Sequence, residues 1–283
     1  MVPRRSVAVA LLWFAFLAGP PARAADKTPA NLVLVQQGAL PIILTAPHGG
    51  REAIPGIEPR RDKANVEAYR KWGGFQRGAD TNTDSLAQGI AAELAKLTGK
   101  KPYLVVAKFS RKYIDANRPP ELGLDSPRAR PYYDTYHQAV RRFVDEIRGN
   151  YPAGLLIDVH GQSKDPDVLM RGTINGRAVE RLLRQSGVEA VTGPNGIYGR
   201  LEANGFKVFP GNDVPPGGRS EDAGYNGGYT VFTYGSHSLT GIDAVQMEFG
   251  SRYRQKAVLD KSASDVAKAI AAFHEAYLKQ PAR

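Results

Sequence analysis

Short apolar runs that alternate with helical segments are the feature that most constrains the fold of this chain. The runs are rich in β-branched residues or leucine, a composition typical of buried strands. Strands are predicted at 32–36, 42–45, 103–109, 155–159 and 244–249, and helices at 81–98, 132–147, 177–183 and 262–278. This alternation predicts an α/β layer sandwich, in which polar site residues collect where strands end.

One domain is expected over residues 25–283, because no repeat, low-complexity tail or linker divides the sequence. Residues 51–79 are rich in charges and turn residues, which predicts an irregular surface loop. Within the glycine-rich segment at 210–228, the stretch 217–228 is interpreted either as a mobile rim over a pocket or as a plain connector.

The first 24 residues are predicted to be a signal peptide. Arg4 and Arg5 precede an apolar run at 7–17, and the Ala-Arg-Ala sequence at 22–24 offers a cleavage site of small residues. The apolar run is shorter than the roughly 20 residues that a membrane span needs. We therefore expect a mature, soluble protein from Ala25 onward that is periplasmic or secreted, with no stable membrane insertion after cleavage.

Composition excludes several classes of site. The chain of 283 residues has no cysteine, which removes disulfides, thiolate metal ligands and a cysteine nucleophile. Its net charge of +10 is scattered, without a basic run interleaved with aromatics, so no nucleic-acid partner is expected. The Gly-x-Ser-x-Gly elbow of serine hydrolases is absent as well. Any metal must be held by His, Asp or Glu.

Two of the five histidines stand in matching settings. His48 and His160 each follow an apolar run and precede glycine, so the imidazole can project from the sheet edge while the small neighbour leaves room for an ion or substrate. Neutral imidazole is a good zinc ligand, and a catalytic zinc typically has three protein ligands and one open position. Both histidines are therefore candidate ligands.

The sequence leaves the third ligand open between two carboxylates. Glu52 lies four residues after His48, but the glycines at 49–50 and Pro55 argue against pairing the two on a helix. Asp80 precedes a predicted helix, where it is either a metal ligand or an N-cap that accepts backbone N–H bonds.

Other polar residues in the predicted strand ends and loops are candidates for acid–base work or substrate binding. Glu248 ends an apolar strand, where burial raises the pKa of a carboxylate into a useful range; the alternative is an ion pair with Arg252. Arg118 and Arg111 are candidates for clamping a substrate carboxylate or polarising a carbonyl, because a planar guanidinium pairs bidentately. Asn117 is assigned to substrate binding with them.

These residues fall within a series of motifs that keeps one order along the chain. The motifs are Ala-Pro-His-Gly-Gly at 46–50, Asp80, Phe-Ser-Arg at 109–111, Asp-Ala-Asn-Arg-Pro at 115–119, Tyr-His at 136–137, Leu-Ile-Asp-Val-His at 156–160, Asn-Gly-Gly at 226–228, Tyr-Gly at 234–235 and Val-Gln-Met-Glu at 245–248. In this order and spacing the sequence resembles N-formylglutamate amidohydrolases over residues 32–255.

The resemblance implies a fold similar to zinc carboxypeptidases and aspartoacylases, a single-domain three-layer sandwich with a central mixed β-sheet flanked by helices. It also implies hydrolysis of an amide on an acidic amino acid. Carried over residue by residue, it makes His48, His160 and Asp80 zinc ligands and Glu248 the general base that passes a proton to the leaving amine. Asp115 and Asp158 are interpreted as residues that orient an arginine or a histidine, and His137 as a supporting or packing residue.

The sequence thus predicts an exported zinc-dependent amidohydrolase that cleaves an N-acylated acidic amino acid or a glutamyl compound by metal-activated water. One alternative is a periplasmic peptidase, or a hydrolase of poly-γ-glutamate or cell-wall amides. Another, from a different class, is a non-catalytic periplasmic binding protein for acidic ligands. In each case the partner is a small-molecule or peptide-like acidic substrate.

Overall fold

The computed structural model of the protein describes residues 28–62 and 67–279. The predicted signal peptide at 1–24 lies outside the described residues. Among the helices that are described, none has both the length and the apolar character that crossing a membrane requires.

Seven strands form one mixed sheet in the order β1-β3-β2-β4-β7-β5-β6. Their bounds are β1 Val33–Gln36, β2 Leu40–Ala46, β3 Pro102–Ala107, β4 Leu155–Gly161, β5 Val168–Gly172, β6 Lys207–Phe209 and β7 Asp243–Phe249. Strands β3, β2, β4 and β7 run parallel, whereas β1 and β5 are antiparallel to β3 and β7. The carboxyl ends of β2, β4 and β7 therefore lie side by side at one edge of the sheet.

Helices cover both faces of the sheet. They are α1 Pro29–Leu32, α2 Glu67–Arg70, α3 Thr83–Thr98, α4 Pro120–Gly123, α5 Arg130–Asn150, α6 Glu180–Ser186, α7 Glu189–Thr192, α8 Ile197–Ala203, α9 Tyr229–Tyr234 and α10 Leu259–Phe273. Alternate strand residues point to opposite faces: Ile42 and Leu44 pack in the core under α3 and α10, and Ile43 packs in the core under α5. The predicted single-domain, three-layer α/β sandwich is confirmed.

Some elements differ from those predicted by the sequence patterns. Strands β1 and β2 are consecutive in the chain but are not paired, because β3 lies between them. The predicted loop at 51–79 contains the single turn α2, and the short strands β5 and β6 were not predicted. The final helix ends at Phe273 and continues as a π-helical turn over His274–Leu278. Helix α3 begins at Thr83 rather than 81, since Asn82 has a left-handed φ of 65°.

Candidate active site

Three neighbouring parallel strands carry the two histidines and the glutamate to one place. His48 follows β2 by two residues, and His160 lies near the end of β4. Glu248 lies on β7 directly beside His160 in the strand register. The strand-end position predicted for the histidines is therefore confirmed.

Asp80 reaches the histidines from the loop before α3. Its backbone N–H donates to the carbonyl of His48 at 3.0 Å, which fixes the loop against the end of β2. Asn82, rather than Asp80, occupies the N-cap position of α3, although its side chain makes no cap hydrogen bond, so the N-cap alternative for Asp80 is wrong. The Asp80 carboxylate instead accepts the backbone N–H of Gly161 at 3.2 Å and faces both rings.

The donor atoms of these three side chains form a compact triangle. The Nδ1 atoms of His48 and His160 are 3.2 Å apart, and Oδ2 of Asp80 lies 3.4 Å and 3.1 Å from them respectively. Zinc bonds nitrogen and carboxylate oxygen at roughly 2.0–2.2 Å, so two ligands of a tetrahedral ion are about 3.3 Å apart. The triangle therefore has the size of three corners of a tetrahedral zinc site.

Hydrogen bonds on the far side of each ring determine which nitrogen faces the centre. Nε2 of His48 lies 2.7 Å from Oδ1 of Asp115, and Nε2 of His160 lies 2.8 Å from Oδ2 of Asp158. A neutral imidazole whose Nε2–H donates to a carboxylate turns its Nδ1 lone pair inward. Two lone pairs and a carboxylate oxygen then face one another, an arrangement that a cation satisfies.

The charges around the centre favour a positive charge there. Burial alone would lower the pKa of His160, but the carboxylates of Asp158 and Asp80 hold it well above the usual value. Burial opposes ionisation of Asp80 too, yet His48 and His160 keep its pKa well below the usual value. The same negative field that attracts a proton to the centre attracts a metal ion.

The two orienting carboxylates are themselves held at their other oxygens. Thr45 donates its hydroxyl to Oδ1 of Asp158 at 2.6 Å. Arg111 donates Nε–H to Oδ2 of Asp115 at 2.8 Å. The structure thus places Asp115 and Asp158 where the sequence interpretation put them, behind the histidine rings.

The two candidate arginines differ in whether a guanidinium N–H group is left for a ligand. Arg111 is committed to Asp115, and its Nη1 lies 3.8 Å from Oδ1 of Asp80. Arg118 donates Nη1–H to the Asn117 carbonyl and Nη2–H to the Gly74 carbonyl, while its buried Nε has no hydrogen-bond partner among the described residues. A buried donor without a partner is costly, so the Nε–H of Arg118 is suited to a ligand.

Glu248 is held by a residue that sequence reasoning missed. Gln246 donates Nε2–H to Oε1 of Glu248 at 2.9 Å and accepts the backbone N–H of Gly228 at 2.7 Å. Alternation along β7 puts positions 246 and 248 on one face, and this spacing could have indicated the pair. The alternative ion pair with Arg252 is wrong, because Arg252 is exposed and pairs with Asp167.

Burial gives Glu248 an unusual acidity. Desolvation raises the pKa of its carboxyl to about 7. The negative charge of Asp80 acts in the same direction, and the positive charges of His160 and Arg111 oppose it. A carboxyl with this pKa exchanges protons near neutral pH, as a general base requires.

A cavity of about 460 Å³ opens in front of the triangle. All the predicted site residues line it, namely His48, Asp80, Arg111, Asn117, Arg118, His160 and Glu248. The glycine-rich segment contributes Gly224, Tyr225 and Gly228, so it forms a rim of the cavity. Glu52, the other candidate third ligand, is exposed and does not belong to the triangle.

His137 lies away from the cavity, among tyrosines of α5 and α9. Its Nε2 is 2.9 Å from the Ala116 carbonyl, and its Nδ1 is 3.0 Å from the Tyr234 hydroxyl. Burial lowers its pKa to about 4, so the ring is neutral near pH 7. It touches the site only through the backbone between Asp115 and Asn117.

No family model and no curated relative matches the sequence. Solved structures do match. The N-formylglutamate amidohydrolase from Ralstonia eutropha JMP134 superposes with a TM-score of 0.54 and 20% identity, over 87% of this chain and 97% of that chain. The chain has the fold of an N-formylglutamate amidohydrolase. A gene product of Agrobacterium tumefaciens superposes with a TM-score of 0.55 and 15% identity, over 88% of this chain and 96% of that chain.

The N-formylglutamate amidohydrolase fold accounts for the order of the sequence motifs. The first and sixth motifs end β2 and β4, the last ends β7, and the loops between them bring Asp80 and Arg118 to the same cavity. Residues that are scattered over more than half of the sequence are thereby gathered at one sheet edge.

Proposed function

We propose that this protein is a zinc-dependent amidohydrolase. The triangle of His48 Nδ1, His160 Nδ1 and Asp80 Oδ2, with edges of 3.1–3.4 Å, is the observation that carries the proposal. Three protein ligands leave one tetrahedral position open, which is the arrangement of catalytic rather than structural zinc. When bound, zinc supplies a Lewis acid for the substrate carbonyl and lowers the pKa of water.

Glu248 moves the protons in this proposal. Its raised pKa of about 7 and its place in the cavity beside His160 support a role as general base toward the attacking water and then as acid toward the leaving nitrogen. The hydrogen bond from Gln246 fixes the carboxylate, so it is oriented before substrate enters.

The proposed substrate is an N-acylated acidic amino acid or a glutamyl compound. Four basic side chains line the cavity, those of Lys71, Arg111, Arg118 and Arg254, which favours an anionic ligand. Arg118 offers its unpaired Nε–H to a substrate carboxylate or carbonyl. The name of the matched Ralstonia eutropha enzyme supports the same class.

The deciding experiment measures the metal content of purified protein and then assays the zinc-loaded form. N-formylglutamate, N-acetylglutamate, poly-γ-glutamate and a peptidoglycan fragment are compared in parallel, with chelated protein as the control. We expect one zinc per chain and hydrolysis that the chelator abolishes. Protein that binds no zinc would overturn the proposal, and zinc binding without hydrolysis of any of the four would favour the alternative of an acidic-ligand binding protein.

We also propose that the protein is exported and works in the periplasm or outside the cell. The sequence of residues 1–24 supports this. N-terminal sequencing of the protein from a periplasmic fraction is expected to begin at Ala25, and full-length protein retained in the cytoplasm would contradict the proposal.

A further inference from the structure

Arg254 is a buried arginine at the end of the 3₁₀ turn Ser251–Arg254, just after β7. Only 8% of its surface is exposed. Its guanidinium donates to three backbone carbonyls: Nε–H to Phe249 at 2.9 Å, Nη1–H to Thr81 at 2.6 Å and Nη2–H to Gln162 at 3.1 Å. The motifs do not include this residue, and the proposed chemistry uses it only as part of the positive charge of the cavity.

Each of the three carbonyls lies next to a residue of the candidate site. Thr81 follows Asp80, Phe249 follows Glu248, and Gln162 lies two residues after His160. These segments come from a loop and two strand ends that are far apart in the sequence. The planar guanidinium of Arg254, whose N–H donors have a fixed arrangement, therefore holds all three carbonyls at set distances.

A further hydrogen bond joins the backbone of Arg254 to the loop that carries Asp80. The Asn82 side chain donates Nδ2–H to the carbonyl of Arg254 at 2.7 Å. The Asp80 loop is thus attached to Arg254 through two consecutive residues, Thr81 and Asn82, just before the start of α3. Asp80 does not adjoin a strand in the sequence, unlike His48 and His160, so its position depends most on such attachment.

We propose that Arg254 is a positioning residue that sets the geometry of the metal site by holding the Asp80 loop against the ends of β4 and β7. This inference rests on the proposed function. Lysine cannot replace it fully, because a single ammonium nitrogen on a flexible stem does not reach three separated carbonyls in a fixed geometry.

Gly161 supplies independent support. A Cβ at this position would lie 2.5 Å from Cζ, 2.6 Å from Nε and 2.8 Å from Nη1 of Arg254, closer than real contacts allow. Its backbone is not in the left-handed region that favours glycine. The glycine after His160 therefore makes room for the guanidinium of Arg254, and it lines the cavity as well.

The first test compares zinc binding by Arg254→Ala, Arg254→Lys and the control Arg252→Ala, which alters an exposed arginine in the same turn. Zinc dissociation constants come from chelator competition, and the visible spectrum of the cobalt-substituted protein reports ligand geometry. We expect zinc binding about 10- to 100-fold weaker in Arg254→Ala, since residues that orient ligands typically matter that much. A smaller loss is expected in Arg254→Lys, together with a changed cobalt spectrum in both and no change in Arg252→Ala.

The second test is a double-mutant cycle with Gly161→Ala. We expect Gly161→Ala to weaken zinc binding in the wild type by displacing Arg254, and to have no further effect in Arg254→Ala, where the clash is absent. If Arg254→Ala gives no folded protein, Arg254→Lys and Gly161→Ala decide the matter.

Three results would contradict the proposed role of Arg254. Wild-type zinc affinity in Arg254→Lys and Gly161→Ala would overturn the role of Arg254 and leave the proposed function standing. An equal loss from Gly161→Ala with or without Arg254 would overturn it in the same way. A wild-type protein that binds no zinc would overturn the proposed function and this inference with it.

Discussion

At the scale of single residues, metal binding at the site depends on which atoms face one another. Imidazole can present either nitrogen, and here Asp115 and Asp158 occupy the Nε2 side of both rings. The Nδ1 atoms are left to the centre, where the carboxylate of Asp80 meets them. Removal of that carboxylate is therefore the most direct change to the metal site.

Asp80→Asn is expected to weaken zinc binding by at least tenfold, because the amide keeps the shape of the side chain but loses the charge that the ion neutralises. Zinc content after dialysis and competition with a chelator measure the change. Glu52→Gln is the matched control, since Glu52 was the rival third ligand and is exposed. Loss of zinc in the control with retention in Asp80→Asn would show that the assignment is reversed.

Glu248→Gln separates acid–base work from metal binding. The amide is isosteric, stays within reach of Gln246 and cannot accept a proton from water. We expect full zinc occupancy with a hydrolysis rate about 10²- to 10⁴-fold lower, the usual contribution of a general base. Kinetic assays on zinc-loaded protein and metal analysis of the same sample provide both readings. Wild-type kcat in this variant would refute the role.

Much of the site was predictable at this scale because its members adjoin apolar strands or belong to a local sequence motif with chemical meaning. His48, His160, Asp80 and Glu248 all reach the cavity as expected. The exceptions act through contacts that no local pattern encodes. Arg254 follows β7 in an ordinary polar turn, and only the folded chain brings the Thr81 and Gln162 carbonyls to it.

At the scale of elements, α5 contributes a half-buried histidine whose protonation opposes folding. The pKa of His137 falls from 6.5 to about 4 on burial. Between these values the unfolded chain holds a proton that the folded chain does not. Stability is therefore lost as the pH drops from 6.5 to 4, by up to about 3 kcal/mol.

His137→Gln is expected to remove this part of the acid sensitivity. Urea unfolding at pH 7 and pH 4 gives the free energy of unfolding of variant and wild type, and the difference between the two proteins is expected to shrink toward pH 4. His237→Gln, on a half-buried histidine, serves as the control and should keep most of the wild-type dependence. Parallel loss of stability in His137→Gln and wild type would count against the assignment.

Elements with long periodic patterns were predicted better than short ones. Helices α3, α5 and α10 bury regular apolar stripes, which sequence spacing reveals. Strand β6 has three residues with only Val208 buried, and the apolar run of β5 covers only residues 168–170 before the buried Arg171, so each signal is too short to predict a strand. The start of α3 was predicted wrongly because Asn82 has a left-handed φ, and its side chain binds the Arg254 carbonyl instead of the N–H groups of the helix.

At the scale of the whole molecule, a metal ion would join parts of the chain that are far apart in the sequence. His48 follows the end of β2, Asp80 lies in the loop before α3, and His160 lies in β4. A ligand that binds only the folded state at 100 times its dissociation constant stabilises by about 2.7 kcal/mol. For a protein of this size that corresponds to roughly 5–10 °C in Tm.

Zinc is therefore expected to raise the Tm of metal-free protein by that amount, and the shift should grow with the logarithm of zinc concentration. Differential scanning calorimetry with zinc and with a chelator measures it. Asp80→Asn provides the comparison, in which a much smaller shift is expected. Equal shifts in the two proteins would place the stabilising zinc elsewhere on the molecule.

The α/β class and single domain followed from the alternation of strands and helices, but the order of strands did not. Strand β1 is separated from β2 by three residues and pairs instead with β3, more than sixty residues away. Nothing in the composition of β1 selects that neighbour. Pairing is decided by the packing of both faces at once, which requires the assembled molecule.

The side-by-side register of His160 and Glu248 limits how a sheet of this kind can be altered. A slip of one residue between β4 and β7 would turn one of the two side chains to the opposite face. The strands therefore fix the site geometry, whereas the two cavity walls at 71–79 and 223–228 are loops that carry none of the proposed metal ligands. New substrate preferences are therefore most accessible by exchanging those loops, with the strand ends and the arginine beneath them kept as a common base.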